Sequence, residues 1–118
     1  MEIQTRLSDQ LARYLDLAVA ETKLTASNMA NIDTPGYRTL GFDFQAEMQR
    51  VLRETDAYRK ERVTVKEVDG LISRPDGNNV SLDREGLQMA QAQLKFRTGV
   101  ALMRLENQRV MDAIHADK

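Results

Sequence analysis

Cysteine and tryptophan are both absent from this chain of 118 residues, and aromatic residues make up only 5% of it. Without cysteine the chain has no disulfide, no thiolate ligand for a metal and no cysteine nucleophile. With so few large aromatic side chains, a core has to be built mainly from Leu, Val, Met and Ala, as is usual where helices pack together. The composition therefore favours packed helices as the main structural unit.

An excess of charge of one sign is also lacking, because 17 Lys and Arg residues face 18 Asp and Glu residues. No net field attracts nucleic acid or an acidic membrane, so we expect neither as a partner. No stretch approaches the roughly 18 apolar residues of a membrane span. The first residues carry no basic region followed by an apolar run, so we expect no cleaved secretory signal.

Residues that could carry catalysis or bind a ligand are equally scarce. His115 is the only histidine, and it has no cysteine or second histidine with which to share a metal. Gly70 and Gly77 belong to turns and form no phosphate-binding loop, while the acidic residues are scattered along helical faces. We therefore predict that the chain is not an enzyme and has no cofactor, metal site or small-molecule substrate.

The N-terminal unit, residues 1–34, has the periodicity of one long amphipathic helix. Apolar and small residues recur at spacings of mostly three and four, which places them along one side of a helix: Ile3, Leu7, Leu11, Leu15, Ala18, Thr22, Thr25, Met29 and Ile32. Toward its end the seam becomes small and polar, a composition that permits close approach by a neighbouring helix. The simplest interpretation is a helix packed on a domain core.

A turn with a defined geometry follows this helix. Pro35 disfavours the helical conformation for Thr34, and Gly36 stands where a type II turn from Thr34 to Tyr37 requires positive φ. Asn28 and Asn31 precede the turn, and we expect their side chains to bond to nearby backbone groups and loosen the last helical turns.

The middle unit, residues 35–78, contains both prolines of the chain and is the least regular. Its first part predicts a short amphipathic helix or extended segment packed on the first helix, from Phe42, Phe44, Met48, Val51 and Leu52. Residues 53–62 are rich in charge and predict a solvated face or loop. Residues 63–65 alternate like a strand, and we predict that residues 67–72 return beside them as a hairpin.

The C-terminal unit, residues 79–118, predicts a second long helix capped by Asn79 or Ser81. At about 100° per residue, this helix has two apolar faces on opposite sides. One face comprises Leu87, Ala90, Leu94, Ala101 and Leu105. The other comprises Met89, Phe96, Val100, Met103, Val110 and Ile114. Gly86 and Gly99 weaken a helix, which close contact with a neighbouring helix would offset, and the continuity of the helix at Gly86 is in question.

The fold class that follows is mainly α, with long N- and C-terminal helices around a short irregular or β-hairpin middle segment. One helix pair covers only one face of the second helix, so we expect the surplus face to be buried against other subunits. The predicted assembly interface is Leu11, Leu15, Met29, Leu87, Met89, Leu94, Phe96, Val100, Met103, Leu105, Val110 and Ile114. The alternative is a small coiled-coil adaptor or an export-chaperone-like protein.

The segment from Leu24 to Tyr37, LTASNMANIDTPGY, resembles the N-terminal signature of bacterial flagellar rod, hook and hook-associated proteins. The pair Asp43-Phe44 and the segment from Gly77 to Glu85 resemble, within that family, rod proteins of the proximal rod. The signature residues in this chain are Asn28, Asn31, Asp33, Thr34, Pro35, Gly36 and Tyr37.

The resemblance implies a specific setting for the chain. It implies that the terminal helices pair as a coiled coil, and that copies assemble helically with other rod subunits into a drive shaft in the basal body. The implied partners are these rod subunits, an adaptor at the rod base, the membrane (MS) ring protein and the flagellar type III export gate. It further implies export without a cleaved signal, for which Phe44 and Met48 fit a short hydrophobic export element.

Overall fold

The computed structural model describes residues 5–53 and 63–116. In chain order these residues form α1 (Arg6–Ala30), β1 (Leu40–Gly41), α2 (Phe44–Arg53), β2 (Lys66–Glu67) and α3 (Leu82–His115). Helices α1 and α3 pack side by side and antiparallel, and the molecule measures 69 × 25 × 21 Å. The predicted fold class, two long terminal helices around a short middle segment, is confirmed.

Helix α1 has defined signals at both ends. Thr5 and Ser8 form a capping box, in which each side chain bonds to the backbone N–H of the other. The helix ends at Ala30 with Asn31 as its C-cap, a few residues before the predicted limit at residue 34. The Asn31 side chain donates to the Ser27 carbonyl at 2.8 Å, which confirms the local bond expected of it.

The interface between α1 and α3 follows a seven-residue spacing on both helices. The buried positions are Leu11, Ala18 and Thr25, with Glu21 and Asn28, on α1, and Glu85, Ala92, Gly99 and Glu106 on α3. Small residues at Ala18, Ala92 and Gly99 let the two backbones approach closely. Thr5 Oγ1 donates to Glu106 Oε1 at 2.7 Å at one end, and Lys95 Nζ donates to Glu21 Oε2 at 3.0 Å further along. These contacts fix the register of the pair.

The middle segment lies beside α1. Residues 44–53 are helical, which confirms a short helix packed on the first one. The predicted hairpin within residues 63–72 is wrong: β2 pairs antiparallel with β1, with Leu40 opposite Glu67 and Gly41 opposite Lys66. The alternation of residues 63–65 is too short to specify which strand pairs with it. Strand β2 instead pairs with β1, which follows the turn at residues 34–37 that we call the signature turn. Of the charged run predicted at 53–62, residues 54–62 lie outside the described part.

Helix α3 starts at Leu82, with Ser81 as its N-cap. The Ser81 side chain accepts from the Arg84 N–H at 3.3 Å, as one of the two predicted caps. The helix runs without interruption through Gly86, so the questioned break there does not occur. None of the helices in residues 5–53 and 63–116 is long and apolar enough to cross a membrane.

Candidate functional site

Asn28, in the last turns of α1, is the centre of a buried polar cluster. Its Oδ1 accepts from Tyr37 Oη at 2.8 Å and from the Leu40 N–H at 3.1 Å. Its Nδ2 donates to the Leu40 carbonyl at 2.8 Å and to Glu85 Oε2 at 3.2 Å. Asn28 is only 1% exposed, so its own amide group is shielded from water in all four bonds. The prediction that Asn28 loosens the helix end by local bonding is therefore wrong. Its side chain instead joins α1 to the signature turn, β1 and α3.

Glu85 brings a carboxylate into this buried cluster. Its side chain is 1% exposed, and Arg84 Nη1 donates to Glu85 Oε1 at 2.6 Å. A buried carboxylate is tolerated only when charged or hydrogen-bonding groups compensate for its lost hydration, and Arg84 and Asn28 together do so. The first turn of α3 is thereby bound to the last turns of α1.

The signature turn has the geometry predicted from its sequence. Gly36 has φ of 75°, and the Tyr37 N–H donates to the Thr34 carbonyl at 3.2 Å. Both values fit the type II turn that a Pro-Gly pair favours. Thr34 Oγ1 also donates to Asn31 Oδ1 at 3.0 Å. Asp33 and Pro35 lie exposed at the tip, and Tyr37 turns inward to reach Asn28.

A second loop, residues 74–80, packs against the signature turn and holds it in place. The Asn78 side chain is fully buried, and its Nδ2 donates to the carbonyls of Asn31 and Thr34, both at 2.8 Å. The Gly36 N–H donates to the Asp76 carbonyl at 2.8 Å. A Cβ at Gly77 would lie 3.4 Å from the Gly36 Cα, and Gly77 itself has φ of 87°. The two turns therefore meet backbone to backbone.

Asn79 and Arg74 complete this contact between the two loops. Asn79 Oδ1 accepts from the Thr39 N–H at 2.6 Å, and the Asn79 N–H donates to the Tyr37 carbonyl at 3.3 Å. The Arg74 guanidinium donates to the carbonyls of Val80 and Ile32. We call this cluster the polar clamp; it comprises Asn28, Asn78, Asn79, Glu85 and Arg74.

Sequence reasoning identified one member of the polar clamp as a site residue and missed the others. Asn79 is predicted only as a possible cap of the second helix, and Asn78 and Glu85 enter the sequence analysis only within the segment that carries the family resemblance. A usable signal was present, because Glu85 begins a series with Ala92, Gly99 and Glu106 at seven-residue spacing. The series is small or charged rather than apolar, so a search for apolar periodicity passes over it.

The predicted assembly residues divide into two groups. One group lies on the side of the helix pair contact and is buried or half-buried: Leu11, Leu15, Met29, Met89, Val100, Met103 and Val110. The other is exposed and includes Leu87, Leu94 and Leu105, with exposed fractions of 59%, 66% and 67%. Phe96 and Ile114 are also exposed. Together with Ala90 and Ala101, the three leucines form a strip along α3 opposite α1, which we call the leucine strip.

Gly99 marks the closest approach of the two long helices. A Cβ at this position would lie 2.6 Å from Leu15 Cδ2 and 3.1 Å from Tyr14 Cδ1. Gly86, in contrast, has nothing within 4 Å of an added Cβ. The close helix contact that was expected to offset the cost of a helical glycine is therefore present at Gly99. The structure shows no such contact at Gly86.

Phe44, one of the two candidate export residues, is packed in the folded chain. Its ring meets the Tyr14 ring edge-on at a centroid distance of 5.4 Å, and Lys95 Nζ lies 3.9 Å from the Phe44 ring centroid. Met48, one helical turn further along α2, is half-buried. Folding therefore places Phe44 in the contact between α2 and the long helix pair, and Met48 is half-buried on the same helix.

Ionisable groups at the contact between α1 and α3 are hydrogen-bonded or partly buried. Hydrogen bonds from Arg109 and Thr5 lower the pKa of the Glu106 carboxyl. Burial, and secondarily the Glu21 carboxylate, raise the pKa of the Tyr14 phenol. In residues 5–53 and 63–116, no three His, Asp or Glu side chains lie close enough together to hold a metal ion.

An open apolar groove of about 320 Å³ lies on the outer side of α1. It is lined by Ala20, Lys23, Leu24, Ser27, Phe42, Val63 and Val65. The groove and the leucine strip are on different helices of the pair. The chain thus carries two separate apolar surfaces.

Comparison with known proteins gives this architecture a family. The chain is 32% identical over 108 residues to the flagellar basal body rod protein FlgB of Salmonella typhimurium, covering 75% of this chain and 78% of that protein. It is 31% identical to FlgB of Cereibacter sphaeroides, covering 96% of this chain and 99% of that protein. The chain belongs to the FlgB family.

A more distant FlgB relative, from Buchnera aphidicola, is 24% identical over 113 residues and covers 82% of this chain. No protein-family model matches the chain. Membership of the FlgB family agrees with the resemblance found in the signature, and the alignment with the Cereibacter sphaeroides protein covers 96% of the chain.

Proposed function

We propose that this chain is a structural subunit of the proximal rod of the bacterial flagellar basal body. Copies assemble helically with other rod proteins into the drive shaft that transmits torque from the membrane ring to the hook. The observation that carries the proposal is the leucine strip, since three leucines on one face of α3 stay mostly exposed after α1 has packed on the other. A long apolar face of this kind marks an interaction surface.

The geometry of the helix pair suits a part that bears load. Helix α3 has 34 residues and is therefore about 51 Å long. Over much of this length it is braced by α1 through fully buried small residues, Ala18 and Ala92, and through the contact at Gly99. The polar clamp fixes the angle at which the chain leaves α1. A subunit built in this way passes force along its axis with little internal deformation.

The proposal extends to location and partners. The chain resides in the periplasm-spanning rod, after export by the flagellar type III apparatus without a cleaved signal. Its partners there are other rod subunits, an adaptor at the rod base and the membrane ring protein. The mixed surface charge, 17 basic against 18 acidic residues, supports protein partners over nucleic acid. The role is structural, with no catalytic step.

We also propose that the export gate reads Phe44 and Met48 before the chain folds. Both side chains are at least half-buried once α2 packs, so they present an apolar pair only in the unfolded chain. Replacing both by alanine should reduce the amount of chain secreted, whereas Phe42→Ala removes a neighbouring ring outside the pair and should not. Normal secretion of the F44A/M48A variant refutes the export proposal.

Replacing the leucine strip tests the assembly function. In flagellated cells that carry this chain as their only rod protein of its kind, the variant L87Q/L94Q/L105Q should abolish swimming. The reason is that glutamine removes apolar area from the surface that other subunits cover, and leaves the contact with α1 intact. Electron microscopy of isolated basal bodies should show that rods are missing.

A matched control uses exposed aliphatic side chains elsewhere. Leu52 on α2 and Ile72 in the following loop are 46% and 91% exposed, and the variant L52Q/I72Q makes the same chemical change away from α3. These cells should swim normally. Normal swimming and normal rods with L87Q/L94Q/L105Q contradict the proposed function.

A further inference from the structure

The outer faces of the two long helices carry charged residues at the same seven-residue spacing. The charges are negative on α1 and positive on α3. Asp9 and Asp16 are seven residues apart on the side of α1 that faces away from α3. Arg97 and Arg104 are seven residues apart on α3, beside the leucine strip, and both are exposed. Seven residues are close to two helical turns, so each pair presents its charges about 10 Å apart along one face.

We infer that the outer face of α1 in one copy of this chain binds the outer face of α3 in a second copy, antiparallel. Aligning Asp16 with Arg97 also brings Asp9 opposite Arg104. This is the register that the two helices already use within the chain, where Asn28 meets Glu85. The inference rests on the proposed function and specifies which surfaces of two copies meet.

The same alignment matches the apolar surfaces. It sets Leu94 at the level of Val19, one residue from Ala20, and Leu87 at the level of Ala26, one residue from Ser27. Ala20 and Ser27 line the groove beside Phe42, Val63 and Val65. Ala90 then lies at the level of Lys23, where its small side chain leaves room for the lysine stem. Leu87 and Leu94 of one copy thus meet the groove of the next.

The two faces differ, so the contact is heterologous and each copy keeps one surface of each kind available. Contacts of this type generate rings or open helical arrays rather than closed dimers. The charges set the register and orientation, while the apolar strip supplies most of the affinity. Asp9 keeps its 3.7 Å contact with Arg13, which lies one turn further along the same helix.

Cross-linking tests the register directly, because the chain has no cysteine of its own. The variant D16C/R97C carries thiols on opposite outer faces of the helix pair, so a short bis-maleimide joins them only between copies. In basal bodies isolated from swimming cells, it should give a ladder of cross-linked multimers. The control D16C/Q108C places the second thiol on the same side of α3, about 16 Å from position 97, and should give none.

The outcomes separate this inference from the proposed function. Basal bodies that contain the variant but give no D16C/R97C adduct overturn the inferred register and leave the rod function standing, as does an equal yield from the control pair. Absence of the chain from basal bodies overturns both.

Charge reversal provides an independent measurement on whole cells. The variant R97E/R104E should lose swimming, because two acidic pairs then face each other. Adding D9K/D16K to the same chain should restore it. Since Asp9 also stabilises the first turn of α1, the pair D16K/R97E serves as a second rescue that leaves that turn unchanged. Failure of both rescues overturns the inference. The exposed pair R53E/K66E makes the same change of net charge as R97E/R104E and controls for it.

Discussion

The polar clamp and the leucine strip reverse the usual distribution of side chains. The polar clamp buries three asparagines and a glutamate at the end of the helix pair where the signature turn lies. The leucine strip, on the outer face of α3, leaves three leucines mostly exposed. Buried polar groups hold the elements of the chain together at the clamp, and exposed apolar groups remain on the uncovered face of α3.

The difference follows from what each kind of interaction supplies. Hydrogen bonds depend strongly on direction, so the four bonds of Asn28 permit one arrangement of α1, β1, Tyr37 and α3. Apolar contact has little directional preference but yields free energy in proportion to the area covered. The clamp therefore determines the shape of the chain, and under the proposed function the strip provides the driving force for association.

The largest effect on stability is expected at the centre of the clamp. Asn28→Ala removes four hydrogen bonds and leaves the Tyr37 hydroxyl, both Leu40 backbone groups and a Glu85 oxygen without this partner. We expect the free energy of unfolding to fall by about 3–5 kcal/mol, measured by urea denaturation of the full chain.

Asn107→Ala is the control for that change. Asn107 is exposed on α3, so the same substitution should alter the unfolding free energy by less than about 0.5 kcal/mol. Similar losses for Asn28→Ala and Asn107→Ala contradict the role assigned to the clamp.

Replacing the two glycines of α3 by leucine is expected to change the free energy of unfolding by a smaller amount, with opposite signs at the two positions. Gly99→Leu forces a side chain into the space of Leu15 and Tyr14 and should lower the unfolding free energy by about 1–3 kcal/mol. Gly86→Leu meets nothing within 4 Å and should raise it by up to about 1 kcal/mol, because leucine is the better helix former. Thermal unfolding followed by circular dichroism measures both. A loss at Gly86 as large as at Gly99 disproves the close contact.

The smallest effect on stability is expected at the leucine strip. In a dilute solution of the isolated chain, L87Q/L94Q/L105Q should change the unfolding free energy by less than about 0.5 kcal/mol per site, since these side chains are already largely in water. The same variant is expected to abolish rods. A loss of several kcal/mol in the monomer shows instead that the strip belongs to the core of one chain.

The leucine strip and the signature turn were accessible from sequence because both depend on local geometry. The position of Leu87, Leu94 and Leu105 on one face follows from 100° per residue, and positive φ at Gly36 follows from a Pro-Gly turn. Neither conclusion requires knowledge of distant contacts. The start of α3 next to Ser81 follows in the same way from capping, whereas α1 ends a few residues before its predicted limit.

The polar clamp and the strand pair were missed because their partners are far apart in the chain. Asn28 meets Glu85 across 57 positions, and nothing in the residues around Asn28 indicates that partner. Strands of two residues carry too little pattern to specify pairing, so β2 was expected to pair within its own neighbourhood rather than with β1. The seven-residue spacing of buried residues on α3 was obscured because its members are small or charged.

The backbone contact between Gly36 and Gly77 has a consequence for the timing of folding. The first turn gains its fixed position only when a residue 41 places later arrives beside it, since Asn78 and the Asp76 carbonyl supply its bonds. Closing so long a loop has an entropic cost that no contact within the first 40 residues repays. During synthesis, which proceeds from the N-terminus, the signature turn therefore reaches its fixed position only after the last third of the chain has appeared.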